Sequence, residues 1–141
     1  MGVPTKSLFN FSPKVRPTPL KIYLQSFDQS SFSSRLMAMA KPVYNSAIRH
    51  SNGKPAIVFV PIHRQAQLTA IDIMTYRENL DGGTFLGKDV DMEQLSIVTE
   101  KLKDQTLQQV VKQGIGFVHD GMSDSDWEAI VDLYNLYFVR V

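Results

Sequence analysis

Cysteine is absent from the 141 residues of this chain. The chain therefore has no disulfide framework, no thiolate metal site and no cysteine nucleophile. No apolar run approaches the roughly 18 residues that a membrane span requires, so we expect no membrane partner. The net charge is only +1, which is less basic than the surfaces of nucleic-acid-binding domains usually are. Any nucleic-acid interface must therefore be a local feature.

Phosphate-binding and catalytic motifs are also missing. The sequence has no GxxxxGK[ST] phosphate loop and no acidic box for magnesium, and Gly114-Ile115-Gly116 lacks the third glycine of a dinucleotide fingerprint. The three histidines (His50, His63 and His119) are scattered at spacings that metal ligands do not use. We therefore predict no catalytic residue, no metal site and no cofactor held by this chain alone.

Proline is concentrated at the start of the chain. Four of the seven prolines lie within residues 1–19, at positions 4, 13, 17 and 19. Proline fixes φ and pushes the preceding residue out of the helical region. We predict an interdomain linker over 1–19 and one domain over 20–141; a site for a proline-reading partner is the alternative for the first segment.

The rest of the chain alternates between two hydrophobic periods. Period-two or continuous apolar runs predict strands at 20–24, 56–60, 115–119 and 137–141, and the run 56–60 is typical of a strand buried on both faces. Apolar residues spaced three and four apart predict helices that end near His50, span about 63–79 and 92–102, and follow Asp104 and Ser123 as caps. This order predicts the α/β class, with a parallel sheet between helices.

Seven segments of the chain together match a known pattern in collinear order: Leu8–Phe11, Val15–Leu20, Arg35–Tyr44, Pro55–Pro61, Gln65, Leu68–Ile73 and Gly114–Gly121. They resemble the second RecA-like domain, in the C-terminal cassette, of the two-cassette superfamily-2 RNA helicases. Within these, the spliceosomal family of the U5 small nuclear ribonucleoprotein 200 kDa helicase fits best, and the helicases of the activating signal cointegrator complex are the alternative. The resemblance implies a RecA-like (P-loop NTPase-type) sheet truncated at the C-terminus.

The resemblance also implies where RNA would bind. In the family, the strand matching Ile57–Val60 carries motif IV, the loop after it faces nucleic acid or the interdomain cleft, and a second loop at a strand end approaches the RNA backbone. Both are interpreted as loops at the carboxyl ends of strands, which would let them share a rim. The matching positions are predicted nucleic-acid-binding residues: Arg64, Gln65, Gln67, His119 and Gly121. The chain departs from the family at Ile62-His63, where Ser-Arg is common, and at Trp127-Glu128, where two arginines are common. Neither Trp nor Glu can bind phosphate as a guanidinium does.

Each of these residues has a plainer interpretation. Arg64, Gln65 and Gln67 would also form a polar first helical turn that faces solvent, and His119 would also be a partly buried histidine that bonds to backbone. Trp127 with Tyr134 and Tyr137 would form a base-stacking platform or, as helical spacing favours, pack in the core. The cluster Lys101, Lys103 and Lys112 is interpreted as a solvated helix face.

For the function, the resemblance implies a nuclear fragment of an ATP-dependent RNA helicase of pre-mRNA splicing, whose parent unwinds U4/U6 RNA. Its partners would be RNA, spliceosomal proteins and the first RecA-like domain of the same helicase. ATP and magnesium would belong to the full-length family, because the phosphate loop and the arginine finger would lie outside these residues. Whether the chain is itself an enzyme stays open. The alternatives are a catalytically inert protein-interaction or regulatory module and a truncated product without a stable fold.

Overall fold

Helices make up the regular secondary structure of this chain in a computed structural model that describes residues 11–80, 82–136 and 141. A short 3₁₀ turn at Pro13–Val15 precedes them. Residues 16–31 form no helix. Within the described residues, the helices are α1 (Phe32–Ser51), α2 (His63–Leu80), α3 (Met92–Lys101), α4 (Gln105–Val111) and α5 (Asp124–Asn135).

Polar side chains define where three of the helices begin. The Asp91 carboxylate accepts the backbone N–H groups of Glu93 and Gln94 at the start of α3, at 3.0 and 3.2 Å. Asp104 caps α4 and Ser123 caps α5 in the same way. Each side-chain oxygen satisfies an N–H that has no partner within its helix. The caps predicted at Asp104 and Ser123 are confirmed.

The ends of α1 and α2 also follow from local chemistry. Helix α1 contains Pro42 in its interior and ends at Asn52 and Gly53, which have positive φ values of 52° and 75°. Proline has no N–H to donate, so a helix often begins at or near a proline. Helix α1 instead begins at Phe32 and continues through Pro42. Helix α2 runs one residue further than predicted, to Leu80.

One core joins the helices. Its fully buried side chains come from α2, α3, α4, α5 and the segment that follows α4, and the aromatic ring of Tyr44 adds the contribution of α1. Burial of each large aliphatic side chain contributes roughly 1.5–3 kcal/mol. The innermost members are Ile73, Leu95, Leu107, Val110, Val111, Ile115 and Leu133.

The predicted α/β fold is wrong for the described part of the chain. Residues 20–24, 55–60 and 115–119 contain no strand, and no backbone hydrogen bond joins 56–60 to another described segment. Ile57 is 64% exposed and Phe59 is 92% exposed, so the apolar run is not buried on both faces. A strand requires a partner ladder, and an apolar run alone does not supply one. The RecA-like parallel sheet is therefore replaced by a helical arrangement with extended connections.

Several predictions fall on residues that the structure does not describe. They are the first ten residues of the predicted linker, the side chain of Tyr137, and the predicted last strand apart from Val141. The backbone of Val141 exchanges hydrogen bonds with Gly114 and Gly116, at 3.4 and 2.7 Å. The boundary predicted at residue 19 stays a prediction. None of the helices described is long and apolar enough to cross a membrane.

Candidate nucleic-acid interface

Two loops that are far apart in sequence meet at the start of α2. His63 is the first residue of this helix, and its ring lies parallel to the ring of His119, with 5.4 Å between centroids and 3° between planes. The Nε2 atom of His63 lies 2.5 Å from the Oδ1 atom of Asp120. We call the surface formed by His63, His119, Asp120 and Gly121 the histidine rim; Arg64 follows His63 in the first turn of α2.

A tight turn sets the position of His119. The backbone N–H of Met122 donates to the carbonyl of His119 at 3.2 Å, and the N–H of Gly121 donates to Nδ1 of His119, also at 3.2 Å. The imidazole also stacks near the buried ring of Phe117, with 6.1 Å between centroids. The interpretation of His119 as partly buried and bonded to backbone is confirmed, yet one face of the ring remains at the rim.

The predicted site residues divide into two groups. His119 and Gly121 lie at the histidine rim, and Arg64 lies in the first turn of α2 next to His63; Arg64 and Gly121 are exposed. Gln65 is buried and donates to the hydroxyl of Thr69 at 3.1 Å. Gln67 donates to the hydroxyl of Thr106 at 2.9 Å and so connects α2 to α4. Both glutamine side chains are therefore engaged within the fold.

The electrostatics of the histidine rim favour an anion next to Arg64. The first N–H groups of a helix have no partner within the helix and make its N-terminus weakly positive. Ile62, the residue before α2, has no side-chain oxygen to cap them. The guanidinium of Arg64 lies in this first turn and is exposed, whereas the charge of Asp120 faces His63. This arrangement suits a phosphate group.

The second family departure lies on α5. Trp127 is 48% exposed, so the prediction that helical spacing places it in the core is wrong. Tyr134 is half-buried, and Glu128 is exposed. The three lysines interpreted as a solvated surface are exposed, as predicted: Lys101, Lys103 and Lys112.

An apolar groove lies beside the extended segment 56–60. Its volume is about 410 Å³, and side chains of α2, α5 and the segment 115–118 form its walls. Ile57 and Phe59 project from its edge into solvent. This groove, unlike the histidine rim, offers almost no charge.

Sequence reasoning missed two members of the histidine rim. In the sequence, His63 was interpreted only as a position where the family commonly has arginine. No function was predicted for Asp120. The linear distance between His63 and His119 gives no sign of their contact. The idea that the two loops share a rim was the available signal, because it places the residues after 60 beside those after 118.

Comparison with known proteins shows similarity along the whole chain. No protein-family model matches it. The DExH-box ATP-dependent RNA helicase DExH12 of Arabidopsis thaliana is 41% identical over 145 residues, which cover 100% of this chain and 6% of the relative. The U5 small nuclear ribonucleoprotein 200 kDa helicase of Homo sapiens is 39% identical over 142 residues, with 100% and 7% covered. The activating signal cointegrator 1 complex subunit 3 of Dictyostelium discoideum is 33% identical over 135 residues, with 95% and 6% covered. The chain thus spans less than a tenth of the length of these relatives.

Proposed function

Since the chain belongs to the family of the DExH-box and U5 200 kDa RNA helicases, we propose that it is a segment of an RNA helicase whose histidine rim contacts the RNA backbone. The observation that supports this most directly is the contact of His63, the residue before Arg64, with His119 beside Gly121. The start of α2, which carries the exposed Arg64, thus meets the loop of His119 and Gly121, and both segments were predicted to face RNA.

The proposed contact uses charge and hydrogen bonds rather than base recognition. The Arg64 guanidinium would donate two parallel hydrogen bonds to a phosphate. The first N–H groups of α2 would bind the same anion. The ring N–H of His119 would donate to a neighbouring sugar or phosphate oxygen. Gln65 and Gln67 would support this surface from behind, because their side chains hold α2 to itself and to α4.

Salt-dependent binding of single-stranded RNA tests this proposal. We expect the 141-residue chain to bind a fluorescent RNA oligonucleotide in an anisotropy titration, with an affinity that falls as salt rises. For single strands, each phosphate contact contributes about 0.7 to the slope of log affinity against log salt. Arg64→Ala should weaken binding and reduce the slope by about that amount.

The matched control is Lys112→Ala, which removes the same charge from an exposed position. Lys112 follows α4 and precedes the segment 113–118 that leads to His119. If Arg64→Ala and Lys112→Ala weaken binding equally, the contact is a diffuse charge effect and the proposed interface is wrong. Binding that does not respond to salt would contradict it as well.

The finer role proposed is pre-mRNA splicing in the nucleus. The U5 helicases among the relatives support this role. Spliceosomal proteins and the first RecA-like domain of the same helicase are the proposed partners. ATP and magnesium would bind elsewhere in the full-length protein, since this sequence has no phosphate loop. Immunoprecipitation of the endogenous protein should recover U5 small nuclear RNA; recovery of none would argue for the cointegrator-complex branch.

A protein-interaction module is the second candidate. The exposed side chains of Ile57 and Phe59 beside the apolar groove favour it, because exposed apolar patches often mark interaction sites. Binding to spliceosomal proteins would then be insensitive to salt. It would be lost in the double variant Ile57→Ser with Phe59→Ser and kept in Arg64→Ala. The opposite pattern would exclude this candidate.

A further inference from the structure

We propose that His63 and His119 bind a divalent transition-metal ion of the zinc type, with Asp120 orienting one of the two ligands. One potential ligand atom of each of these three residues lies within 4.8 Å of the other two. Imidazole suits zinc, copper and nickel. The inference does not depend on RNA binding, since it rests on the geometry of the two rings alone.

Hydrogen bonds determine which nitrogen of each ring holds a lone pair. Nε2 of His63 lies against the Asp120 carboxylate, which only accepts, so this nitrogen carries a proton. Nδ1 of His119 accepts the N–H of Gly121, so the proton of a neutral His119 is on Nε2. In the neutral rings, Nδ1 is therefore the available ligand atom of both histidines.

Gly121 leaves open space next to both Nδ1 atoms. A Cβ atom at this position would lie 3.4 Å from Nδ1 of His119 and 4.0 Å from Nδ1 of His63. The glycine is exposed, so an ion can reach this space from solvent. An ion at Nδ1 of His119 would replace the hydrogen bond from the Gly121 N–H. This N–H can then donate to water at low cost, because the backbone there is exposed.

Coordination of an ion requires both rings to rotate. Zinc–nitrogen distances of about 2.0–2.1 Å place two ligand nitrogens roughly 3.3 Å apart in a tetrahedral site. The rings are parallel, so each must tilt before both lone pairs point at one ion. Rotation about χ2 of histidine has a broad energy well, and His63 is exposed. Water would complete the coordination.

Asp120 acts through His63 in this site. A carboxylate that accepts the second ring N–H of a ligating histidine orients the ring and raises its basicity, and loss of such a partner typically weakens metal affinity roughly 10–100-fold. The carboxylate also offsets the unfavourable charge of a cation at the positive end of α2. Asp120 is thus a positioning residue rather than a ligand.

Calorimetric titration with zinc, at mildly alkaline pH and on a chain without a histidine tag, tests the proposal. We expect one zinc ion per chain. His63→Ala and His119→Ala should each abolish saturable binding, and Asp120→Ala should weaken it about 10–100-fold. Gly121→Ala should weaken it too, because its methyl group would lie next to both Nδ1 atoms, at 3.4 and 4.0 Å, and hinder access of an ion and its water ligands. Cobalt absorption spectra should report a nitrogen-ligated ion that disappears in the same variants.

His50→Ala is the matched control, because it removes a histidine outside the histidine rim. His50 stacks on the ring of Tyr23 instead. This variant should bind zinc as the native chain does. The proposal is overturned if the native chain shows no saturable binding, if His50→Ala loses as much affinity as His119→Ala, or if one zinc ion binds per two chains. Circular dichroism of each variant separates loss of a ligand from loss of the fold. Arg64→Ala should bind zinc as the native chain does, although it should bind RNA more weakly. A failure of the zinc proposal can therefore be distinguished from a failure of the RNA proposal.

Discussion

Replacement of Gly114 by alanine should destabilise the fold by about 2–5 kcal/mol. Gly114 lies between α4 and the buried segment that begins at Ile115, with a φ of +79°. A Cβ atom there would lie 2.6 Å from the backbone nitrogen of Leu86 and 2.7 Å from the carbonyl carbon of Phe85. Both contacts are with backbone, so no side-chain rotation can relieve them.

The expected magnitude has three parts. A left-handed conformation costs a residue with a Cβ atom about 1–2 kcal/mol. Moving the backbone at 85–86 strains the hydrogen bond from Phe85 N–H to Gln113 C=O, now 2.8 Å long and worth about 0.5–1.5 kcal/mol. It also shifts the Phe85 ring away from its edge contact with Tyr44, at 6.3 Å between centroids, which is worth about 0.5–1.5 kcal/mol.

Urea unfolding followed by far-ultraviolet circular dichroism measures this loss. Gly82→Ala is the matched control, because Gly82 has a φ of +60° but a Cβ atom added there would meet no other atom within 4 Å. The stability loss in Gly82→Ala should therefore contain only the cost of the left-handed backbone conformation. The difference between the two variants therefore isolates the backbone clash. Equal losses in both, or a loss at Gly114 below about 1 kcal/mol, would refute the argument that residues 85 and 86 close tightly on Gly114.

Two further variants test other parts of the fold. Asp126→Ala should cost about 1–3 kcal/mol in the same urea assay, because the Asp126 carboxylate, 4% exposed, accepts the Lys103 N–H at 3.0 Å; no loss relative to Ser125→Ala would contradict this. Partial burial raises the pKa of Asp72 above 3.8, so its ionisation opposes folding above the folded-state pKa and has no effect well below 3.8. Asp72→Asn should therefore raise stability at neutral pH, with a gain that disappears as pH falls through that window; a gain that persists in acid would exclude desolvation as its cause.

The helices were predictable because their signals are local. Apolar spacing along α2 and α5, the caps Asp104 and Ser123, and the Asn52–Gly53 stop each act within a few residues of the sequence. Ser123 and Asp126 have the spacing of a capping box at the start of α5, but only half of that motif forms. Ser123 accepts the Asp126 N–H, but the Asp126 carboxylate bonds to the distant Lys103 instead of reaching back. That partner could not be identified from the sequence of α5.

The strands could not be judged from the sequence because a strand depends on a second segment. The run 56–60 has the composition of a buried strand, but burial requires another segment on each side. In the structure Val58 is half-buried while Phe59 is almost fully exposed. The same limit explains Trp127, whose helical spacing is compatible with the core although Ile130 and Leu133 occupy it.

The histidine rim would serve RNA and zinc through different atoms, and this separates the two proposals. Phosphate or sugar oxygens need donors, which are the Arg64 guanidinium and the Nε2–H of His119. A metal ion needs lone pairs, which lie on Nδ1 of each ring beside Gly121. Loss of His119 should therefore weaken both activities, and loss of Arg64 only RNA binding. Loss of Asp120 should weaken zinc binding alone, because its carboxylate holds His63 and repels phosphate. Three variants with three different patterns cannot all result from one non-specific loss of surface charge.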